Sequence, residues 1–153
     1  MIALDKVDRK ILNLLQQDAT ISLAALAEKV NLSTTPCWKR VKRLEDEKII
    51  AKRVALVNPE KAQLPTSVFM TLAIVNHSNR WIDGFTEVVS DFDEVMEVYR
   101  MTGEFDYMLR IQVKDIQAFD RFYKQLMEKV DGITKVTSSF AMETIKYTTA
   151  LPV

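Results

Sequence analysis

A chain of 153 residues, 48% apolar and 27% charged, has the composition of a folded soluble protein with one medium or two small domains. One cysteine (Cys37) and one histidine (His77) exclude an internal disulfide framework and a zinc site built on His and Cys. Its three glycines (Gly84, Gly103, Gly132) stand too far apart for a P-loop or a G-x-G-x-x-G turn. The formal charge is zero, but it is unevenly spread. Residues 1–60 hold 11 Lys+Arg against 8 Asp+Glu, and residues 61–153 hold 10 against 13. The first ten residues lack the cationic start and apolar run of a signal peptide, and no apolar stretch nears the length of a membrane span. The expectation is a cytoplasmic protein with no membrane partner.

Leu4, Val7, Ile11, Leu14 and Leu15 recur at helical spacing, with Asp5 near the start of that helix. Leu23, Leu26, Ala27 and Val30 give a second stripe behind Ser22, a natural N-cap. Asn31-Leu32 reads as a turn. A third helix follows, with Ser33, Thr34 and Thr35 as capping candidates and Pro36 in its first turn, where a missing N–H is no loss. Along it Pro36, Lys39, Arg40 and Arg43 share one face, while Cys37, Val41 and Leu44 share the opposite one. This is a helix-turn-helix pattern with a supporting helix in front.

Ile49 to Val57 is rich in β-branched residues and reads as a strand or wing, broken by Asn58-Pro59. The domain boundary is placed near residue 60, giving domains 1–60 and 61–153. Beyond it, strands are expected at 68–75, 95–101, 107–113 and 134–140. Helices carry Ile82, Phe85, Val88 and Val89, and then Ile116, Phe119, Tyr123, Leu126 and Val130. The order βαββαβ is the ferredoxin-like arrangement, so the fold class is α+β. Such a sheet covers one face with helices and leaves the other free for a second subunit.

Lys39, Arg40, Lys42 and Arg43 lie within five consecutive residues. A solvated helix face is the bland reading of such a run. The preceding helix and turn favour phosphate neutralisation and contact with base edges in double-stranded DNA. Ser33, Thr34 and Thr35 either cap the helix or donate hydroxyls to phosphates at its N-terminus. Lys52 and Arg53 on the wing are further backbone-contact candidates. Trp38 reads as packing against the first helix, with contact to a sugar-phosphate edge as the alternative, Cys37 as a small buried hydrophobe, and His77 as a loop residue. In Met101-Thr102-Gly103-Glu104-Phe105-Asp106-Tyr107, Gly103 permits a sharp path with exposed N–H groups suited to a carboxylate, and Asp106 suits an ammonium. An α-amino acid offers both groups, although an empty hairpin turn is the simpler reading of the chemistry alone. Thr137-Ser138-Ser139 offers hydroxyls nearby. No nucleophile–base pair is apparent, so catalysis is not expected.

Four segments together resemble the Lrp/AsnC (leucine-responsive/asparagine-responsive, feast/famine) family of transcriptional regulators. They are L-D-K-V-D-R-K-I-L at 4–12, L-S-T-T-P-C-W-K-R-V-K-R-L-E at 32–45, T-G-E-F-D-Y at 102–107 and V-T-S-S-F-A-M-E-T-I-K-Y-T-T-A-L-P at 136–152. The resemblance implies a winged helix-turn-helix joined by a β linker to a ferredoxin-like effector domain. It implies homodimers assembling to octamers, DNA binding at roughly palindromic operators, and an amino-acid effector with no other cofactor. DNA contacts are then expected from Ser33, Thr34, Thr35, Pro36, Lys39, Arg40 and Arg43. Effector contacts are expected from Met101, Gly103, Asp106 and Tyr107, with Thr137 and Ser139 supplied by a neighbouring subunit. A ferredoxin-like sensor without DNA activity is the alternative. Acidic residues on the Thr35–Arg43 face would favour it, and there are none.

Overall fold

Asp5 starts the first helix, α1 (Lys6–Gln17), by two reciprocal hydrogen bonds. Its carboxylate accepts from the N–H of Val7 and of Asp8, each at 2.8 Å, and the Asp8 carboxylate accepts from the Asp5 N–H at 3.1 Å. The computed structural model describes residues 3–75 and 77–153. Ser22 caps α2 (Leu23–Lys29) by accepting from the Ala25 N–H at 3.2 Å. Asn31 takes a left-handed conformation (φ 56°), tolerable for an asparagine, and the Leu32 N–H bonds the Ala27 carbonyl at 2.9 Å. That turn launches α3 (Thr34–Asp46). Ile11 and Leu12 of α1, Leu26 and Ala27 of α2, and Cys37, Val41 and Leu44 of α3 close a small buried core.

The strand or wing expected at Ile49–Val57 is absent among the described residues, and residues 51–58 run without a sheet partner. Val54, Leu56 and Val57 stand exposed there. Their β preference is a preference for a half-buried pleated surface, and a lone segment has neither a ladder partner nor such a surface. The wing is therefore corrected to an unpaired segment.

The remaining elements are β1 (Thr66–Ile74), α4 (Asn79–Ser90), β2 (Val95–Arg100), β3 (Tyr107–Val113), α5 (Ile116–Lys129) and β4 (Ile133–Phe140). The strands pair antiparallel in the order β2-β3-β1-β4, as the split βαββαβ pattern requires. Alternation puts Val68, Met70 and Leu72 of β1 and Leu109 and Ile111 of β3 against Phe85, Val89, Phe122 and Leu126 of the two helices. The opposite face carries Phe69, Thr71, Arg110, Thr137 and Ser139.

Contacts divide the chain into two units, Met1–Leu56 with Ile145–Val153, and Val57–Thr144. The last nine residues thus pack with the helices, whereas the sequence reading assigned them to the second domain. The amide of Gln16 donates to the Leu151 carbonyl at 3.1 Å and accepts from its N–H at 2.6 Å. Asn13 donates to the carbonyl of Val153 at 3.0 Å. No helix among the described residues is long and apolar enough to cross a membrane.

Candidate nucleic-acid interface and effector turn

The buried face of α3 is the one the spacing predicts: Cys37 and Leu44 are wholly buried and Val41 nearly so. Burial pushes the Cys37 thiol above its ordinary pKa, as expected of an inert core sulfur. On the outer side Ser33, Thr34, Thr35, Pro36 and Lys39 are exposed. Ser33 occupies the N-cap position without making the side-chain capping bond, so its hydroxyl is not used by the helix. Among the described residues nothing engages the side chains of Thr34, Thr35 or Lys39.

Arg40 and Arg43 differ from Lys39 in having carboxylate partners within the chain. Arg40 Nη1 donates to Asp5 Oδ2 at 2.6 Å and to Asp8 Oδ1 at 2.8 Å, and Arg43 Nη2 donates to Asp8 Oδ2 at 2.6 Å. Asp8 is only 1% exposed, while the two arginine side chains keep 30% and 42% of their surface. A carboxylate removed from water must be paired, and these guanidiniums pair it. The N–H of Asp8, followed by the guanidinium of Arg40, lowers the Asp5 pKa to about 2. Arg40 is raised in turn, first by its bond to Asp5. Asp5 marks the start of α1 by its spacing, but its sequence position carries no sign of a partner in a helix some 30 residues on.

Trp38 does not pack into the core: it is 52% exposed, and only part of it borders a groove of about 210 Å³ shared with Leu26 and Val41. The indole is too large for the Cys37-sized site between the helices, and its position on the helix turns it outward. Arg53, a wing candidate, is held within the helical unit by Glu45 (3.1 Å) and the Ala19 carbonyl (3.1 Å). Lys52 is exposed.

At the tip of the sheet, β2 and β3 are joined through residues 101–106. The Met101 N–H bonds the Asp106 carbonyl at 2.8 Å, and Gly103 adopts φ +118°, open to glycine but strained for other residues. Asp106 ties this turn to β1: its N–H donates to the Leu72 carbonyl and its Oδ2 accepts from the Ile74 N–H, both at 2.8 Å. Its other oxygen, Oδ1, lies 3.8 Å from Nδ1 of His77. Lys135 of β4, which sequence reasoning missed, pairs with Glu104 and lies 4.9 Å above the Phe105 ring.

Met101, Gly103 and Asp106 are therefore brought together. Tyr107 is not with them at the surface: it is 4% exposed, facing the helices between Trp81 and Phe85. Thr137 and Ser139 lie on the opposite sheet face, across from Thr71 and Phe69. A hollow of about 490 Å³ on the helix side is bordered by Arg80, Trp81, Phe85 and Lys129, and none of the six effector candidates lines it.

Comparison with known proteins gives two family matches: the AsnC-type helix-turn-helix domain over residues 4–45 and the Lrp/AsnC ligand binding domain over residues 67–151. The chain is 55% identical over 150 residues to the DNA-binding transcriptional activator DecR of Escherichia coli K12, covering 98% of this chain and 99% of that protein. A crystal structure of an AsnC family transcriptional regulator from Agrobacterium tumefaciens superposes with TM-score 0.94 at 51% identity, over 97% of each chain. A transcriptional regulator from Neisseria meningitidis, solved as a complex with L-Met, superposes with TM-score 0.92 at 35% identity, over 98% of this chain and 97% of that one.

Proposed function

The chain belongs to the Lrp/AsnC family of DNA-binding transcriptional regulators, and on that premise we propose that it presents α3 to the major groove and adjusts its DNA binding to an amino-acid effector. It works by binding, as its relatives are named regulators and not enzymes. The observation that carries the DNA reading is the two-sided α3. Its inner face is fixed by Cys37, Val41 and Leu44, and its outer N-terminal half offers Thr34, Thr35 and Lys39 with no competing partner among the described residues.

In this reading Ser33, Thr34 and Thr35 meet phosphate at the helix N-terminus, beside Pro36, which supplies no N–H to compete. Lys39 supplies the free cation. Arg40 and Arg43 approach the backbone already oriented by Asp5 and Asp8, using the N–H donors that the carboxylates leave open. Two chains form a dimer through the open sheet face and the unpaired segment 51–57, and dimers assemble further to an octamer. Exposed Val54, Leu56, Phe69 and Tyr99 support that association. The two copies of α3 then read a roughly palindromic site. A DNA partner supports a cytoplasmic location.

The effector is an α-amino acid, and the L-Met carried by the Neisseria relative supports that class. Met101, Gly103 and Asp106 border it at the turn, Tyr107 backs them from the core, and Thr137 and Ser139 reach it from a neighbouring subunit. A coupling of ~1–3 kcal/mol between sites corresponds to a 5–150-fold change in DNA affinity.

The test is a selection of random duplexes on the purified protein, followed by a salt series on the enriched sequence. Lys39→Ala is expected to lower the salt slope by roughly one unit while leaving the selected sequence recognisable. No enriched sequence from the unmodified protein would end the DNA reading. Thermal shifts against the twenty amino acids test the effector, because a ligand bound only by the native state raises the melting point.

A further inference from the structure

We propose that Trp38 is a specificity-determining residue that places its indole against the C5-methyl of a thymine in the major groove. This rests on α3 being the DNA-reading helix. Tryptophan is a highly buried residue on average, yet here it is 52% exposed, with no ring contact or hydrogen bond among the described residues. Its place is the N-terminal half of α3, four residues after Thr34 and four before Lys42, on the side of the helix away from Arg40. That is the half of a recognition helix that reaches base edges. Trp38 borders a groove with Leu23, Leu26 and Val41, and about half of its surface stays open to solvent.

The division of labour along the helix points the same way. Arg40 and Arg43 are bound to Asp5 and Asp8, on the flank facing α1. Their guanidiniums are thereby limited in how far they reach across the groove floor. What remains at the centre and the other flank is Lys39, Thr35, the indole and Lys42, the last paired with Asp46. The indole brings an apolar surface and a single N–H donor and has no acceptor. Of the groups lining the major groove, the thymine methyl is the one that projects a sizeable apolar surface. An exposed aromatic ring therefore discriminates T·A from the other pairs by contact, where a lysine discriminates by hydrogen bonding.

The experiment uses the full chain and its selected duplex. Trp38→Ala is expected to lose preference at one position per half-site, lowering affinity for the selected duplex about tenfold or more. Its affinity for unrelated duplex and its salt slope should stay as in the unmodified protein, because no phosphate contact is removed. Replacing thymine by uracil at that position deletes only the methyl. It is expected to weaken the unmodified protein similarly and Trp38→Ala not at all. An unchanged selected sequence from Trp38→Ala, or full tolerance of uracil at every thymine, overturns the proposal. So does a variant that melts lower yet selects the same sequence, because Trp38 is then a packing residue. Should Trp38→Ala fail to fold, the uracil series on the unmodified protein decides alone. If the unmodified protein selects no sequence, the failure lies with the DNA reading itself.

Discussion

Asp8 in the helical unit and Tyr107 in the sheet unit are both polar side chains nearly lost from solvent, and their surroundings treat them in opposite ways. Asp8, 1% exposed, is contacted by the Asp5 N–H and by two guanidiniums. Tyr107, 4% exposed, lies among aromatic rings, and its hydroxyl has no hydrogen-bond partner among the described residues. The contrast follows from charge. An ion in a low-dielectric site costs several kcal/mol unless paired, whereas a neutral hydroxyl carried on a large apolar ring costs roughly 1–3 kcal/mol, which the burial of the ring offsets. The helical unit therefore gains directed links between α1 and α3, and the sheet unit gains apolar contact area. Arg40 and Arg43 therefore link α3 to α1, apart from the DNA contact proposed for them.

Removing the buried ion should have the largest effect. Asp8→Ala leaves Arg43 without its carboxylate and Arg40 with Asp5 alone, and strips the Asp5 N–H of its acceptor. Because both arginines retain access to water, a loss of about 2–3 kcal/mol is expected, below that of a fully buried pair. The chain has two tryptophans, Trp38 in the helical unit and Trp81 in the sheet unit. Urea unfolding followed in single-tryptophan variants therefore assigns the loss to one unit. A loss that appears equally in the Trp81 signal would mean that the two units unfold as one.

The elements that the sequence made legible are those whose burial is decided locally. The stripes Leu23–Leu26–Ala27–Val30 and Cys37–Val41–Leu44 mark inner faces wherever the helices come to lie, and the structure buries nearly all of them. Alternation in Tyr107–Val113 does the same for β3. What was not legible depends on partners distant in sequence. Nothing local to Arg40 reveals Asp5 and Asp8, and nothing local to Leu151 reveals Gln16. Trp38 was misjudged because size and aromaticity say how much apolar area exists, whereas helix position decides where it points. At the turn 101–106, Gly103 carries its own signature in backbone freedom, while the sheet face of Tyr107 against that of Thr137 needs the register between strands.

A smaller effect, opposite in sign, is expected from Tyr107→Phe. The ring and its contacts with Trp81 at 6.0 Å and Phe85 at 4.7 Å are kept, and only the unpartnered hydroxyl is deleted. Stability of the sheet unit should be unchanged or higher by up to about 1 kcal/mol. A destabilisation of that size instead would show that the hydroxyl has a hydrogen-bond partner in solution.

The smallest effect belongs to the exposed end of the same clamp and is read by pH. Asp5 is held at a pKa of about 2, below its ordinary value near 3.8, by the Asp8 N–H and then by Arg40. A carboxylate depressed on folding contributes stability that is complete above its unfolded pKa and lost as pH falls through the folded one. The Asp5 contribution is therefore full above about pH 4 and fades toward pH 2. Asp5→Asn separates the causes, since an amide still caps α1 but carries no charge for Arg40. Unfolding of the two proteins compared from pH 7 to pH 2 should give curves that converge only in the lowest part of that range. A difference constant across the whole range would assign the role of Asp5 to capping alone, leaving Asp8 as the residue that holds Arg40 against α1.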